Sequence, residues 1–286
     1  MNGIVIIDKP AGWTSQDVVS KLRGVFKTRR IGHGGTLDPM ATGVLPVFVG
    51  RATRGVEFFE HAHKTYEAVL QLGITTDTED ITGNILEEKP VCVTENEFLS
   101  VLEQFRGEIQ QIPPMYSAIK VNGQKLYDLA RKGKEVERKS RTITIFKLEC
   151  LEFSGNQAKI LVHCSKGTYI RTLCKDIGAA LGCGGCMAAL RRVQAGDYTI
   201  DRAVSLQTLV ESDNPEIYLA PVDSLFAEYD KLVLTPNQEK RCRNGNSFSI
   251  SLPDGQYRAY SQNGEFLMLA KVENSIMSTV KSFFDI

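Results

Sequence analysis

Hydrophobic period sets the fold class of this chain. From Gly3 to about residue 204, runs with two-residue alternation interchange with runs whose apolar residues recur every three or four. "GIVIIDKP" reads as a β-branched strand stopped by Pro10. In "TSQDVVSKLRGVFKT", Val18, Val19, Leu22, Val25 and Phe26 fall on one helical face, and Thr14 or Ser15 can serve as N-cap. "VLPVFVG" is a short strand whose Pro46 predicts an edge or bulge position. "RATRGVEFFEHA" reads as a helix, "KTYEAVLQLG" as an alternating strand, and the polar "ITTDTEDITGNILEEKP" as a crossing loop. "TENEFLSVLEQFRG" has a Thr94 cap, Glu97 three residues on and a stop at Gly107.

The same interchange continues. "IPPMYSAIKVNG" predicts a Pro-led strand ending in an Asn-Gly turn, and "KLYDLARKG" a short basic helix. "TITIFKLECLEF" and "AKILVHCS" are two strands joined at Gly155–Asn156. "TYIRTLCKDIGAALG" is a helix capped by Thr168, and "MAALRRVQAGDY" a strand. After residue 204 a helical "SLQTLVES" leads through "APVDSLF" to short strands: "KLVLT", "SFSIS", "QYRAYS" and "EFLMLAKV". The expectation is a mixed α/β (α+β) body, residues 1–227, on an antiparallel-rich central sheet with flanking helices. A small β module over residues 228–286 follows it.

Composition excludes several classes. Hydrophobic residues make up 42% and charged residues 24% of 286, the balance of an ordinary globular chain with a real core. No run approaches the ~18 apolar residues of a membrane span. No basic segment precedes the apolar run near the first residue, so a cytoplasmic protein is expected. The seven cysteines are expected to be reduced thiols. "CGGC", Cys183 to Cys186, lacks the second pair a zinc site needs and reads as a tight turn. The net charge is zero, so a nucleic-acid partner must be argued from local patches. Two exist. Lys21, Arg23, Lys27, Arg29 and Arg30 occur without an acid, and residues 120–141 hold eight Lys/Arg against three Asp/Glu.

Chemistry concentrates on "IGHGGTLDPMATGVLPVFVG". It lacks the GxxxxGK[ST] of a phosphate loop and the glycine spacing of a dinucleotide fingerprint. No HExxH, GxSxG or EF-hand loop occurs, and the four histidines are not spaced as a metal set. Asp38 then has two open readings: a turn residue before Pro39, or a catalytic carboxylate whose partners lie far along the chain. "KTYEAV" puts Tyr66 at the start of a strand, and "CSKGTYIRT" puts Lys166, Tyr169 and Arg171 at a strand-to-helix corner. An arginine near a buried carboxylate keeps it ionised.

These motifs, in order, resemble the bacterial TruB family of tRNA pseudouridine synthases, which act on uridine 55 of the T loop. The segments that carry the resemblance are "DKPAGWTSQDVV", "IGHGGTLDPMATGVLPV", "KTYEAVLQLGITTDTED", "IPPMYSAIKVNGQKLYDLARKG" and "VHCSKGTYIRTLCKDIGAALGCGG", about residues 3–195. The resemblance implies a pseudouridine-synthase fold with a PUA-like C-terminal module. It implies isomerisation of a flipped uridine without cofactor or metal. Asp38 would be the catalytic carboxylate, as nucleophile or general base, with Tyr66 stacked on the base and Arg171 paired with the aspartate. Lys9 would support its loop, His33 would stack in the T loop, and Tyr169 and Leu190 would wall the pocket. Arg131, Lys132 and Lys134 would meet phosphates. The expected partner is the T stem-loop of tRNA, bound by a monomer with no protein partner or membrane. A tRNA-binding folding helper with dispensable chemistry is the rival function. A guide-RNA-dependent rRNA synthase is disfavoured because long basic tails are lacking.

Overall fold

The computed structural model describes residues 1–117, 119–121 and 123–284. The chain opens with β1 (Gly3–Lys9), α1 (Ser15–Val25), β2 (Ile31–His33), β3 (Thr42–Val49) and α2 (Val56–Phe59). It continues through β4 (Lys64–Leu72), β5 (Ile74–Thr76), β6 (Ile85–Glu88), α3 (Glu95–Glu103), β7 (Gly107–Gln111), β8 (Lys120–Val121), β9 (Gln124–Lys125) and α4 (Leu126–Ala130). Then come β10 (Arg141–Phe153), β11 (Gln157–Cys164), α5 (Ile170–Ala180), β12 (Gly185–Ala195) and β13 (Tyr198–Thr199). The remainder is β14 (Val204–Ser205), α6 (Leu206–Glu211), β15 (Asp230–Val233), α7 (Pro236–Arg243), β16 (Phe248–Ser249), β17 (Gly255–Tyr260), β18 (Phe266–Glu273) and β19 (Ile276–Ser282).

Contacts divide the chain into two units. The first takes residues 1–38, 45–60 and 202 onward; the second takes residues 39–44 and 61–201. In the first, β14 runs parallel to β1, β1 neighbours β3, and β2 pairs antiparallel with β3. Val18, Val19 and Leu22 of α1 are buried, the face their spacing predicts. Thr14 and Asp17 close a capping box at the start of α1. The later residues form a five-stranded sheet, ordered β15-β17-β18-β19-β16. Leu234, Cys242, Leu267, Met268, Val272 and Met277 are at its core.

In the second unit, β12 pairs in parallel with the first residues of β3 and antiparallel with β4; β11, β10 and β7 follow, all antiparallel. Side chains alternate as the sequence pattern requires. Tyr66, Ala68, Leu70 and Leu72 of β4 and Ala158, Ile160, Val162 and Cys164 of β11 are buried. Helix α5 packs on β12 and β4 and buries Ile170, Leu173, Cys174 and Ile177. The approach is close: a Cβ on Gly178 would lie 2.4 Å from the backbone at Gly184 and Gly185. Each buried aliphatic side chain contributes about 1.5–3 kcal/mol. This is the mixed, antiparallel-rich sheet with flanking helices that the periodicity predicts.

Several local expectations change. The segment read as a crossing loop is a hairpin, β5 paired with β6, closed by side-chain bonds where apolar alternation is absent. Asp80 Oδ1 accepts from the Thr78 hydroxyl and from the Thr82 amide and hydroxyl. Pro46 is not at an edge: β3 has β1 and β2 as neighbours, and Pro46 serves the ladder through its carbonyl, which accepts from Gly34 N–H at 2.8 Å. The strand expected from Ile112 is confined to β8; the Asn122 of its turn lies outside the described residues. Strands β2, β7 and β19 and helix α7 have no predicted counterpart, whereas α2 lies within a predicted element. No helix among the described residues is long and apolar enough to cross a membrane.

Candidate active site

In the first unit, the loop before Asp38 is built from close packing. His33 pairs with Val47 across the β2–β3 ladder. A Cβ on Gly34 would meet the Phe59 ring at 2.5 Å and Phe48 at 3.0 Å, so this glycine serves internal packing. Gly35 turns the chain with φ 97°, a conformation that L side chains avoid. Leu37 is then buried, and one side chain clamps its backbone: Ser15 Oγ accepts from Leu37 N–H (2.9 Å) and donates to Leu37 C=O (3.2 Å). Asp38 follows directly and is half-buried. Lys9 has no exposed surface; its Nζ donates to the carbonyls of Pro10 (2.9 Å) and Trp13 (2.7 Å), tying the loop between β1 and α1.

In the second unit, Tyr66 lies opposite Val162 on one side and Arg192 on the other. Leu190 lies opposite Ala68, two residues along β4, so Tyr66 and Leu190 share one face of the sheet. Arg192 is fully buried and donates through Nε to Val44 C=O at 2.7 Å. Beside it a Cβ on Gly43 (φ 100°) would fall 2.1 Å from the Arg192 carbonyl, so only glycine fits.

Arg171 occupies the first turn of α5 and is 6% exposed. Its guanidinium donates to two carbonyls from separate segments: Nη1 to Thr78 (3.2 Å) and Nη2 to Tyr116 (2.8 Å). Thr168 does not cap the helix. The N-cap is Tyr169, and the Thr168 hydroxyl donates back to Ser165 C=O, because the Gly167 turn (φ 79°) delays the helix by one residue. Tyr169 is held on both backbone groups by the buried Gln111: its N–H donates to Gln111 Oε1 (2.8 Å), and its carbonyl accepts from Gln111 Nε2 (3.0 Å). Gln111, Thr78 and Tyr116 have no role in the sequence reading, although the last two lie within its motifs. The last two act through backbone carbonyls, which leave no trace in side-chain identity.

Residues 23–170 match the family model for the TruB family pseudouridylate synthase (N terminal domain). Residues 171–227 match the tRNA pseudouridylate synthase B C-terminal domain. The chain belongs to the TruB family. It is 42% identical to the tRNA pseudouridine synthase B of Clostridium kluyveri, over 99% of this chain and 100% of that protein. It is 49% identical to the Azoarcus protein of the same name, over 82% of this chain and 79% of that one. Among solved structures, a chain in the crystal structure of a Cbf5-Nop10-Gar1 complex matches with TM-score 0.73 and 26% identity, over 99% of this chain and 85% of that chain. An H/ACA RNP bound to a substrate RNA containing 2′-deoxyuridine matches with the same TM-score at 24% identity, a likeness of fold.

Two other features of this TruB-family chain bear on its chemistry. Arg131, Lys132 and Lys134 are all exposed after α4, with Arg131 over the Tyr127 ring at 5.6 Å. The cysteines form no disulfide. Cys183 and Cys186 of the "CGGC" turn are buried, and burial pushes the Cys186 thiol up to about 11. Among the described residues no His, Cys, Asp and Glu side chains gather as a metal-ligand set.

Proposed function

We propose that the chain isomerises uridine 55 in the T loop of tRNA to pseudouridine, with Asp38 as the catalytic carboxylate. The observation that carries this reading is the loop itself: the residue before Asp38 is locked through both backbone groups, while Asp38 stays partly open to solvent. A carboxylate placed so is both fixed and reachable. The target base is flipped from its loop and stacks on Tyr66. The bond from N1 to C1′ breaks, the uracil turns, and C5 bonds to the same C1′. The proton lost from C5 is balanced by the one gained at N1, so neither oxidant nor energy source is consumed. Asp38 acts at C1′ as nucleophile or at C2′ as base. Arg171, a permanent cation, favours the ionised carboxylate.

The remaining roles follow the same reading. Tyr169 and Leu190 wall the pocket, His33 stacks in the opened T loop, and Lys9 keeps its own loop in place. Arg131, Lys132 and Lys134 meet tRNA phosphates. The protein acts in the cytoplasm as a monomer. Asp38→Asn tests the proposal: tRNA binding is kept and no pseudouridine forms. Unchanged pseudouridine formation would sink the mechanism and leave the tRNA folding helper as the better reading.

A further inference from the structure

Glu79 lies at the end of the "KTYEAVLQLGITTDTED" segment and has no role assigned to it there, yet its placement is unusual in three ways. Its backbone is left-handed, with φ 64°, where glycine, asparagine or aspartate is the common choice. It is only 7% exposed. Its carboxylate is spent inside the protein, on α5: Oε2 accepts from the Thr172 hydroxyl at 2.6 Å and Oε1 from Lys175 Nζ at 2.7 Å. The backbone is engaged as well. Glu79 N–H donates to Thr76 C=O at 3.3 Å, and Glu79 C=O accepts from Met187 N–H of β12 at 3.0 Å. A residue that keeps a disfavoured conformation and a buried charge together is there for its side chain.

The contacts say what that side chain does. Thr172 follows Arg171 in the first turn of α5, and Thr78 precedes Glu79 in the β5–β6 turn. The Glu79 carboxylate therefore joins the same two segments that the bond from Arg171 Nη1 to Thr78 C=O joins, one residue along in each. It also places negative charge at a helix start that has no side-chain cap, where the peptide dipoles favour it. Asp80 stiffens the turn from the other side through Thr78 and Thr82.

We infer that Glu79 is a positioning residue for Arg171. By tying the first turn of α5 to the β5–β6 turn, it sets the separation of the Thr78 carbonyl from the guanidinium and so the direction in which Arg171 points. This rests on the reading of Arg171 as an active-site arginine. Without the carboxylate, the Tyr116 carbonyl still holds Nη2, but the Nη1 side of the fork loses its fixed distance.

The test uses full-length protein and a tRNA transcript. Glu79→Gly removes the carboxylate and also relieves the left-handed backbone. Its kcat for pseudouridine formation falls between about tenfold and a hundredfold, the range a misplacement of about 1 Å produces. KM and Kd for tRNA stay within about twofold. Glu79→Gln, which keeps an acceptor for Thr172, recovers most of the rate. In an Arg171→Ala background, Glu79→Gly costs nothing further, as coupled residues require. Should Glu79→Gly lower the melting temperature by more than about 5 °C, Thr172→Val replaces it under the same kcat criterion. A Glu79→Gly enzyme with normal kcat, or an equal loss with and without Arg171, overturns the proposal and leaves Glu79 a structural brace. Arg171→Ala alone with full turnover overturns instead the reading of Arg171, so the two failures are told apart.

Discussion

The loop that ends at Asp38 and the turn that starts α5 use one device in two materials. In the first unit a serine hydroxyl bonds both backbone groups of Leu37; in the second a glutamine amide bonds both backbone groups of Tyr169. One oxygen must both give and take in the serine clamp, and its second bond is the longer, at 3.2 Å. The amide has a separate donor and acceptor, and both its bonds are at 3.0 Å or below. Around Arg171 the second unit adds two carbonyls and the Glu79 carboxylate. The difference fits the work proposed for each side chain. A carboxylate that acts on substrate must stay reachable; a cation that serves as fixed background charge can be buried and tied.

Breaking the stronger clamp has the largest effect. Gln111→Met leaves the Tyr169 N–H and C=O without their partner and destabilises the protein by about 2–4 kcal/mol. A drop of roughly 5–15 °C in melting temperature measures it. Ser15→Ala sharpens the contrast. It costs about 1–2 kcal/mol, less than the glutamine change, yet lowers kcat at saturating tRNA because Leu37 is the residue before Asp38. If Ser15→Ala keeps the full kcat, the clamp serves stability alone.

Charge on the surface comes next. Replacing Arg131, Lys132 and Lys134 together by alanine weakens tRNA binding and flattens the slope of log K against log salt by about 2–3. An unchanged slope marks the patch as solvated surface. The smallest effect is on pH dependence. Burial, with the neighbouring His63, holds the His163 imidazole below its ordinary value, so the folded state prefers the neutral ring. As pH falls through about 6.5, the unfolded chain takes up a proton that the folded state resists, and stability drops; above that pH this contribution is flat. Melting curves at pH 5.5 and 7.5 show a smaller difference in His163→Asn than in the parent.

Much of the fold is legible because burial follows period. The buried face of α1 and the alternation in β4 and β11 stand in the sequence as written, and so does the capping box at Thr94, whereas the spacing leaves the cap of α1 open between Thr14 and Ser15. Illegible parts have other sources of order. The β5–β6 hairpin is closed by Asp80 and threonine hydroxyls, so no apolar alternation marks it. Helix α7 buries only Cys242 and so has no stripe to find, although Thr235 and Gln238 form a readable capping box. For the site, the loop glycines are visible, but the reason for Gly34 and Gly43 is contact with residues far along the chain. Residues 78, 116 and 171 meet through carbonyls, and no spacing rule connects them.

The division of the chain also orders its assembly in time. The second unit takes residues 39–44 and 61–201, whereas the first waits for everything from residue 202 on. During synthesis, which runs at about 5–20 residues per second, the strands that carry Tyr66 and Leu190 have all their partners while β14 through β19 are still unmade. A nascent chain thus completes the arginine side of its chemistry seconds before the unit that holds Asp38, and a ribosome stalled near residue 230 would display the one without the other.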